Sequence, residues 1–108
     1  MKEINIPFNK IFNNALIMGI KICTTKNKKY GEIGDYFRLR GTDIYFKIIN
    51  ISRIKLEDII NNLYIEEGFN SKEDFKKFWL TIHNKLQLDK KYYLYTFIKK
   101  WLRKRNGL

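Results

Sequence analysis

Lys21 and Thr24 stand three residues apart in "GIKICTTK", where the chain carries four lysines within nine residues (Lys21, Lys26, Lys28, Lys29) and no acid among them. A threonine hydroxyl is a weak nucleophile until a base takes its proton, and a lysine serves as that base only when partial burial depresses its pKa. In an extended segment, side chains three apart face opposite sides, so both reach one cleft only where the chain turns or bulges. Gly19 makes such a departure plausible. Without chemistry, Lys21 is a solvated phosphate contact and Thr24 a strand-favouring residue. Binding asks for less than catalysis. Lys21, Lys26, Lys28 and Lys29 would contact phosphates while Tyr30 or Tyr36 stacks on an unpaired base. Core packing is an equally good use of those tyrosines.

Other reactive residues offer little. His83 is the single histidine and Cys23 the single cysteine, so a multi-thiolate zinc site and an intrachain disulfide are both excluded, and a metal site at His83 would lack histidine partners. Cys23 reads as a small buried residue and His83 as a helix-end residue. "GEIGD" is too short and too acidic for a phosphate loop. No metal and no cofactor are expected.

The elements that would position these residues follow from periodicity. Phe8, Ile11, Phe12, Ala15 and Leu16 form one helical stripe between Pro7 and Gly19, which predicts a helix over residues 8–18. Aromatic and β-branched residues predict a hairpin, residues 36–40 and 44–53, with its turn at Gly41-Thr42-Asp43. Leu56, Ile59, Ile60, Leu63 and Tyr64 mark a second helix. A third opens at Ser71, whose hydroxyl can accept from the amide three residues on in a capping box with Asp74. Phe75, Phe78, Trp79 and Ile82 form its buried stripe. Residues 92–98, "YYLYTFI", read as a closing strand apolar on both faces, which belongs in the middle of a sheet. The order α, β, β, α, α, β predicts a small α+β domain with a curled sheet flanked by helices.

The chain of 108 residues is long enough for one core. Its 22 Lys and Arg against 11 acids leave +11, a surplus that concentrates polyanions, of which nucleic acid is the commonest. The charge is segregated. Six of the eleven acids lie between Glu57 and Asp74, while the lysine-rich loop and the tail (Lys99, Lys100, Arg103, Lys104, Arg105) carry the excess. If loop and tail meet in space, they make one basic face. No stretch is apolar for the length of a membrane span and no signal-peptide pattern heads the chain. The expectation is a cytoplasmic protein with no membrane contact.

These residues in this order resemble the ASCH domain, a relative of the PUA RNA-binding fold. The family pattern has a Gly, a Lys two residues later, a Thr three beyond it and a basic residue after that. Then come a Gly-Asp pair and a Glu-Gly-Phe segment leading into a helix with Phe and Trp. Here these are Gly19, Lys21, Thr24, Lys26, Gly34-Asp35, Glu67-Gly68-Phe69, Phe75 and Trp79. Two departures stand out: Lys26 occupies the place of a common Arg, losing its bidentate fork, and Ile20 and Ile22 replace residues that are often Lys and Thr. The resemblance implies a small PUA/ASCH-like β-barrel (a curled sheet) over residues 1–98, with helices at its side and a basic tail, 99–108, outside it. It also implies a cleft floored by Lys21, Thr24 and Lys26 that takes RNA or a nucleotide. Some members are ribonucleases and some hydrolyse N4-acetylcytidine with a Lys, a Thr and a Glu, which fall here on Lys21, Thr24 and Glu67. The reading is therefore an RNA- or nucleotide-binding domain. A hydrolase on the same cleft is the alternative, and a basic adaptor for an acidic protein partner is a third.

Overall fold

The computed structural model describes residues 1–101. A 3-10 turn, Lys10–Phe12, leads into a short helix α1, Asn13–Ile17. Strands β1 (Cys23–Lys26), β2 (Tyr36–Arg38) and β3 (Ile44–Lys55) follow. Helices α2 (Leu56–Leu63) and α3 (Lys72–His83) come next, and strand β4 (Lys91–Trp101) closes the described chain. The four strands form one antiparallel sheet in the order β1-β4-β3-β2. It is a curled half-barrel with three helices packed on it, a small α+β domain. Among the described residues no helix is long and apolar enough to cross a membrane.

The doubly apolar strand occupies the place its pattern requires. β4 lies between β1 and β3, and its side chains feed two cores. Tyr95 and Phe97 pack with Phe37, Phe46, Ile48, Phe12 and Leu16 in one core. Tyr92 and Leu94, pointing the other way, pack with Leu56, Ile59, Ile60, Phe75 and Trp79 in the other. A register shift between Ile48 and Asn50 marks where β3 bends, which lets one sheet curl round both cores. α3 begins as predicted: Ser71 Oγ accepts from the Asp74 amide at 3.1 Å.

Three boundaries differ from the sequence reading. The predicted first helix shrinks to a 3-10 turn and five α-helical residues, because Asn9 caps the turn at Ile11 and the helix proper is built on Asn13 and Asn14, weak helix formers. The lysine-rich segment, read as a loop, contains strand β1, so a strand precedes the predicted hairpin. β4 runs on to Trp101, which puts Lys99 and Lys100 in the sheet. Gly34-Asp35 does start the hairpin. Gly34 has φ +96°, and the Asp35 carboxylate accepts from the Glu32 and Lys2 amides at 2.9 and 3.1 Å. The Glu32 amide, more than Lys2, holds that carboxyl below its ordinary pKa.

Phe97 is 2% exposed and meets the rings of Phe8, Phe37 and Phe46, whereas its neighbour Ile98 faces solvent. Phe97→Ala should lower the unfolding free energy by about 3–5 kcal/mol in a denaturant titration. Ile98→Ala should stay within about 0.5 kcal/mol.

Candidate functional site

Between α1 and β1 the chain is clamped on two sides. The Ile20 and Lys21 amides donate to the Ala15 carbonyl at 2.9 and 3.0 Å, and the Ile22 and Cys23 amides donate to Glu66 O at 2.9 and 3.2 Å. The Lys21 side chain is thereby turned inward, 2% exposed, against the turn that joins α2 to α3. Its Nζ donates to Glu67 Oε1 at 2.9 Å, Glu67 O at 2.8 Å and Cys23 O at 2.9 Å. It also lies 4.4 Å from the centre of the Phe12 ring. An ammonium has three donors and no acceptor, and here all three donors are used. Glu67, 4% exposed, receives the Thr25 hydroxyl on its other oxygen. Gly68 permits the approach: its φ is +101°, and a Cβ there would stand 3.3 Å from Lys21 Cβ.

Strand parity decides which threonine meets the carboxylate. Lys21, Cys23 and Thr25 alternate onto one side, Thr24 and Lys26 onto the other. In β1 Thr24 stands opposite Tyr95, and Thr25 opposite Leu94. Because β1 is a sheet edge, one cavity of about 330 Å³ wraps round it and is lined by both threonines, Lys21, Lys26, Asn27 and Glu67. Its apolar wall is made of Phe8, Phe12, Phe69, Phe75, Phe78 and Trp79, with Tyr30 and His83 beside them. Phe69 stacks on Phe75 with centroids 4.7 Å apart, and Phe12 meets Phe78 edge-on at 5.0 Å. Trp79 Nε1 is buried with no hydrogen-bond partner among the described residues. Size and composition are those of a small-ligand site, mostly apolar with a few fixed polar groups.

Burial, then the Lys21 charge, pulls Lys26 down from an ordinary 10.5 to about 8, against the opposing pull of Glu67. Its Nζ donates to Pro7 O and sits 5.1 Å from the Phe8 ring centre. Burial first, and the Glu67 carboxylate second, push the Cys23 thiol well above its usual range, with Lys21 offsetting part of this. Cys23 is an inert core residue.

Of the residues singled out from sequence, Lys21, Thr24, Lys26, Tyr30 and Glu67 line this one cavity. Lys28 stands over the Tyr30 ring at 5.2 Å, and Lys29 pairs with Glu32 at the surface. Tyr36 lies elsewhere, paired with Lys47 across the β2–β3 ladder. Lys99 donates to Ile17 O at the end of α1, and Lys100 stands opposite Tyr45. Arg103, Lys104 and Arg105 lie outside the described residues. Thr25 is the residue that sequence reasoning passed over. Its signal was available: from Lys21 it is four residues on, the same parity in an extended chain.

The sequence matches no family model and no curated protein. Two solved structures share the fold. One is described as hypothetical protein PH0355, with a TM-score of 0.70 and 12% identity, over 93% of this chain and 100% of that one. The other is an ASCH domain from Lactobacillus crispatus JV V101, with a TM-score of 0.61 and 13% identity, over 89% of this chain and 77% of that one. The chain has an ASCH-like fold.

The depressed Lys26 pKa makes stability depend on pH with a defined sign. Between about 8 and 10.5 the unfolded chain holds the Lys26 proton and the folded protein does not, so stability contributed by this group rises with pH across that window. The unfolding free energy of the wild type minus that of Lys26→Met, measured from pH 7 to 10, should rise with pH, since the opposite slope from the raised Cys23 thiol is common to both proteins.

Proposed function

We propose that this ASCH-like fold binds RNA or an RNA-derived nucleotide, with one unpaired base in the cavity and phosphates on the lysines at its mouth. The observation that carries the reading is the cavity itself, ring-walled and floored by fixed polar groups on a chain of net charge +11. Aromatic walls suit a base drawn out of its stack. The Glu67 carboxylate has acceptor capacity beyond the Lys21 and Thr25 contacts, which suits an exocyclic amino group. Lys26, which lines the cavity, and Lys28, which stands over the Tyr30 ring, would take the phosphates.

A second reading, hydrolysis of N4-acetylcytidine or cleavage of RNA in the same cavity, draws on the direct Lys21–Glu67 contact. Lys21, Thr24 and Glu67 would be its working group, as the ASCH resemblance implies. The geometry adds Thr25, whose hydroxyl donates to Glu67, the arrangement in which a carboxylate can accept a nucleophile's proton. Against it stands the saturation of Lys21, whose three donors leave no lone pair for base work.

Two measurements separate these readings. Affinity for a single-stranded RNA oligomer should fall with salt, and the double variant Lys26→Ala, Lys28→Ala should flatten the log–log slope by about 1.4, or about 0.7 for each phosphate left unneutralised. Absent or salt-insensitive binding overturns the first reading. Turnover of N4-acetylcytidine or RNA that drops at least about 100-fold in Glu67→Gln, with the circular dichroism spectrum kept, establishes the second. No turnover of either substrate at high protein concentration removes it.

A further inference from the structure

The face of the sheet turned away from the aromatic core around Phe97 is only partly covered by the described residues. On β4 the residues of that parity run Tyr92, Leu94, Thr96, Ile98, Lys100. Tyr92 and Leu94 lie in the core beneath α2 and α3, while Ile98 and Lys100 are exposed. Past the end of the helices the registers of β2, β3 and β4 align two rows of three side chains. Tyr36 stands opposite Lys47, and Lys47 opposite Ile98; Arg38 stands opposite Tyr45, and Tyr45 opposite Lys100. Directly opposed residues share a face, as do residues two apart on one strand, so the six form a single patch. Their neighbours of opposite parity, Phe37, Phe46 and Phe97, are all buried on the other side.

Within that patch, rings and cations alternate. Tyr36 and Tyr45 meet edge to face with centroids 5.3 Å apart, and both are partly exposed. Lys47 and Lys100 take part in no ion pair among the described residues, and Arg38 holds Glu3 at 3.4 Å on the rim. A sheet face kept bare for solubility alone has no need of two adjoining tyrosines and an exposed isoleucine. A face built for a protein partner is depleted of lysine at its centre. Aromatic rings for bases with cations between them for phosphates are the features of a single-strand platform.

We propose that this bare end of the sheet is a second RNA-contact surface, on which a single-stranded segment stacks bases on Tyr36 and Tyr45 and sets phosphates on Arg38, Lys47 and Lys100. The proposal rests on the RNA-binding reading of the protein, but it uses none of the residues that line the cavity. It extends the footprint from one captured base to a strand of several nucleotides. It also gives Tyr36 and Lys100, which stand away from the cavity, a shared role.

The test compares an octauridylate with a single nucleotide, cytidine 5′-monophosphate, on the wild type and on Tyr45→Ala and Lys47→Glu, each variant checked for a wild-type unfolding midpoint. Octauridylate affinity should fall about tenfold in Tyr45→Ala with an unchanged salt slope. It should fall in Lys47→Glu with a slope flatter by about 0.7 or more, while mononucleotide affinity stays within twofold in both. Octauridylate affinity within twofold of wild type in both variants overturns the platform. Equal losses for both ligands also overturn it, since they would trace the effect to the cavity. Tighter binding of duplex than of single-stranded RNA overturns the stacking role. If the wild type binds octauridylate as expected but not the mononucleotide, the platform stands and the cavity reading falls.

Discussion

The buried pair of Lys21 and Glu67 is the interaction on which the rest of the site depends. Each ion has lost its water, a cost of several kcal/mol that mutual attraction offsets only when every remaining donor is met. Here the two carbonyls of Cys23 and Glu67 complete the ammonium, and the Thr25 hydroxyl gives the second carboxylate oxygen a partner. Such a pair is a poor source of net stability but a strict one of geometry, because removing either partner strands the other charge in the interior. What it fixes is the position of a sheet edge against a helical turn. Lys21 precedes β1, Glu67 ends the turn after α2, and Phe69 to Trp79 follow directly as the cavity wall. One ion pair therefore sets the spacing between the floor of the cavity and its rings.

That arrangement explains why the cavity lies at β1. A central strand is bonded on both sides, and beneath the helices β4 is also covered on both faces, so it leaves no enclosed space for a ligand there. β1 is short and pairs only with β4. On its other side the α2–α3 turn bonds only the start of the strand, through Glu66 O, and beyond that point a gap wraps round the strand, which brings opposite-parity side chains such as Thr24 and Thr25 to one void. Loop-borne residues gain the precision of a strand without being sealed into a core.

Much of this was legible in the sequence, for physical reasons that differ from element to element. The stripe of α2 and the Ser71 cap follow from local periodicity and capping and survive folding. The predicted α3 stripe holds only in part: Phe75 and Trp79 are buried, Phe78 half-buried, and Ile82 exposed. The central position of β4 follows from its lack of an outward polar face. Strand β1 was not legible by the same means, because four residues rich in threonine and lysine show no apolar alternation; only pairing with β4 makes them a strand. The first helix was overstated because a stripe reports which side is buried, not whether Asn9, Asn13 and Asn14 permit regular α-helix. The site itself was half legible. Lys21 and Glu67, 46 residues apart, were linked only through the ASCH resemblance, and no local pattern could have joined them. Thr25 was hidden by attention to its neighbour, although parity from Lys21 pointed to it.

The distribution of charge separates attraction from selection. Inside the cavity the Lys21 and Glu67 charges cancel, and Lys26 is held at a pKa of about 8, close enough to neutrality that its charge is conditional on pH. At pH 7 Lys26 still carries most of its charge, and among the described residues much of the remaining surplus lies outside the cavity, in exposed lysines such as Lys28 and Lys100 and the partly exposed Lys47. A solvated surplus acts over about a Debye length and draws any polyanion without regard to sequence. A neutralised floor with rings around it does the opposite, since it gives nothing to a phosphate and rewards only a flat group with matching polar edges. The cavity can therefore discriminate among ligands that the surface has already gathered, and salt should weaken the gathering far more than the discrimination.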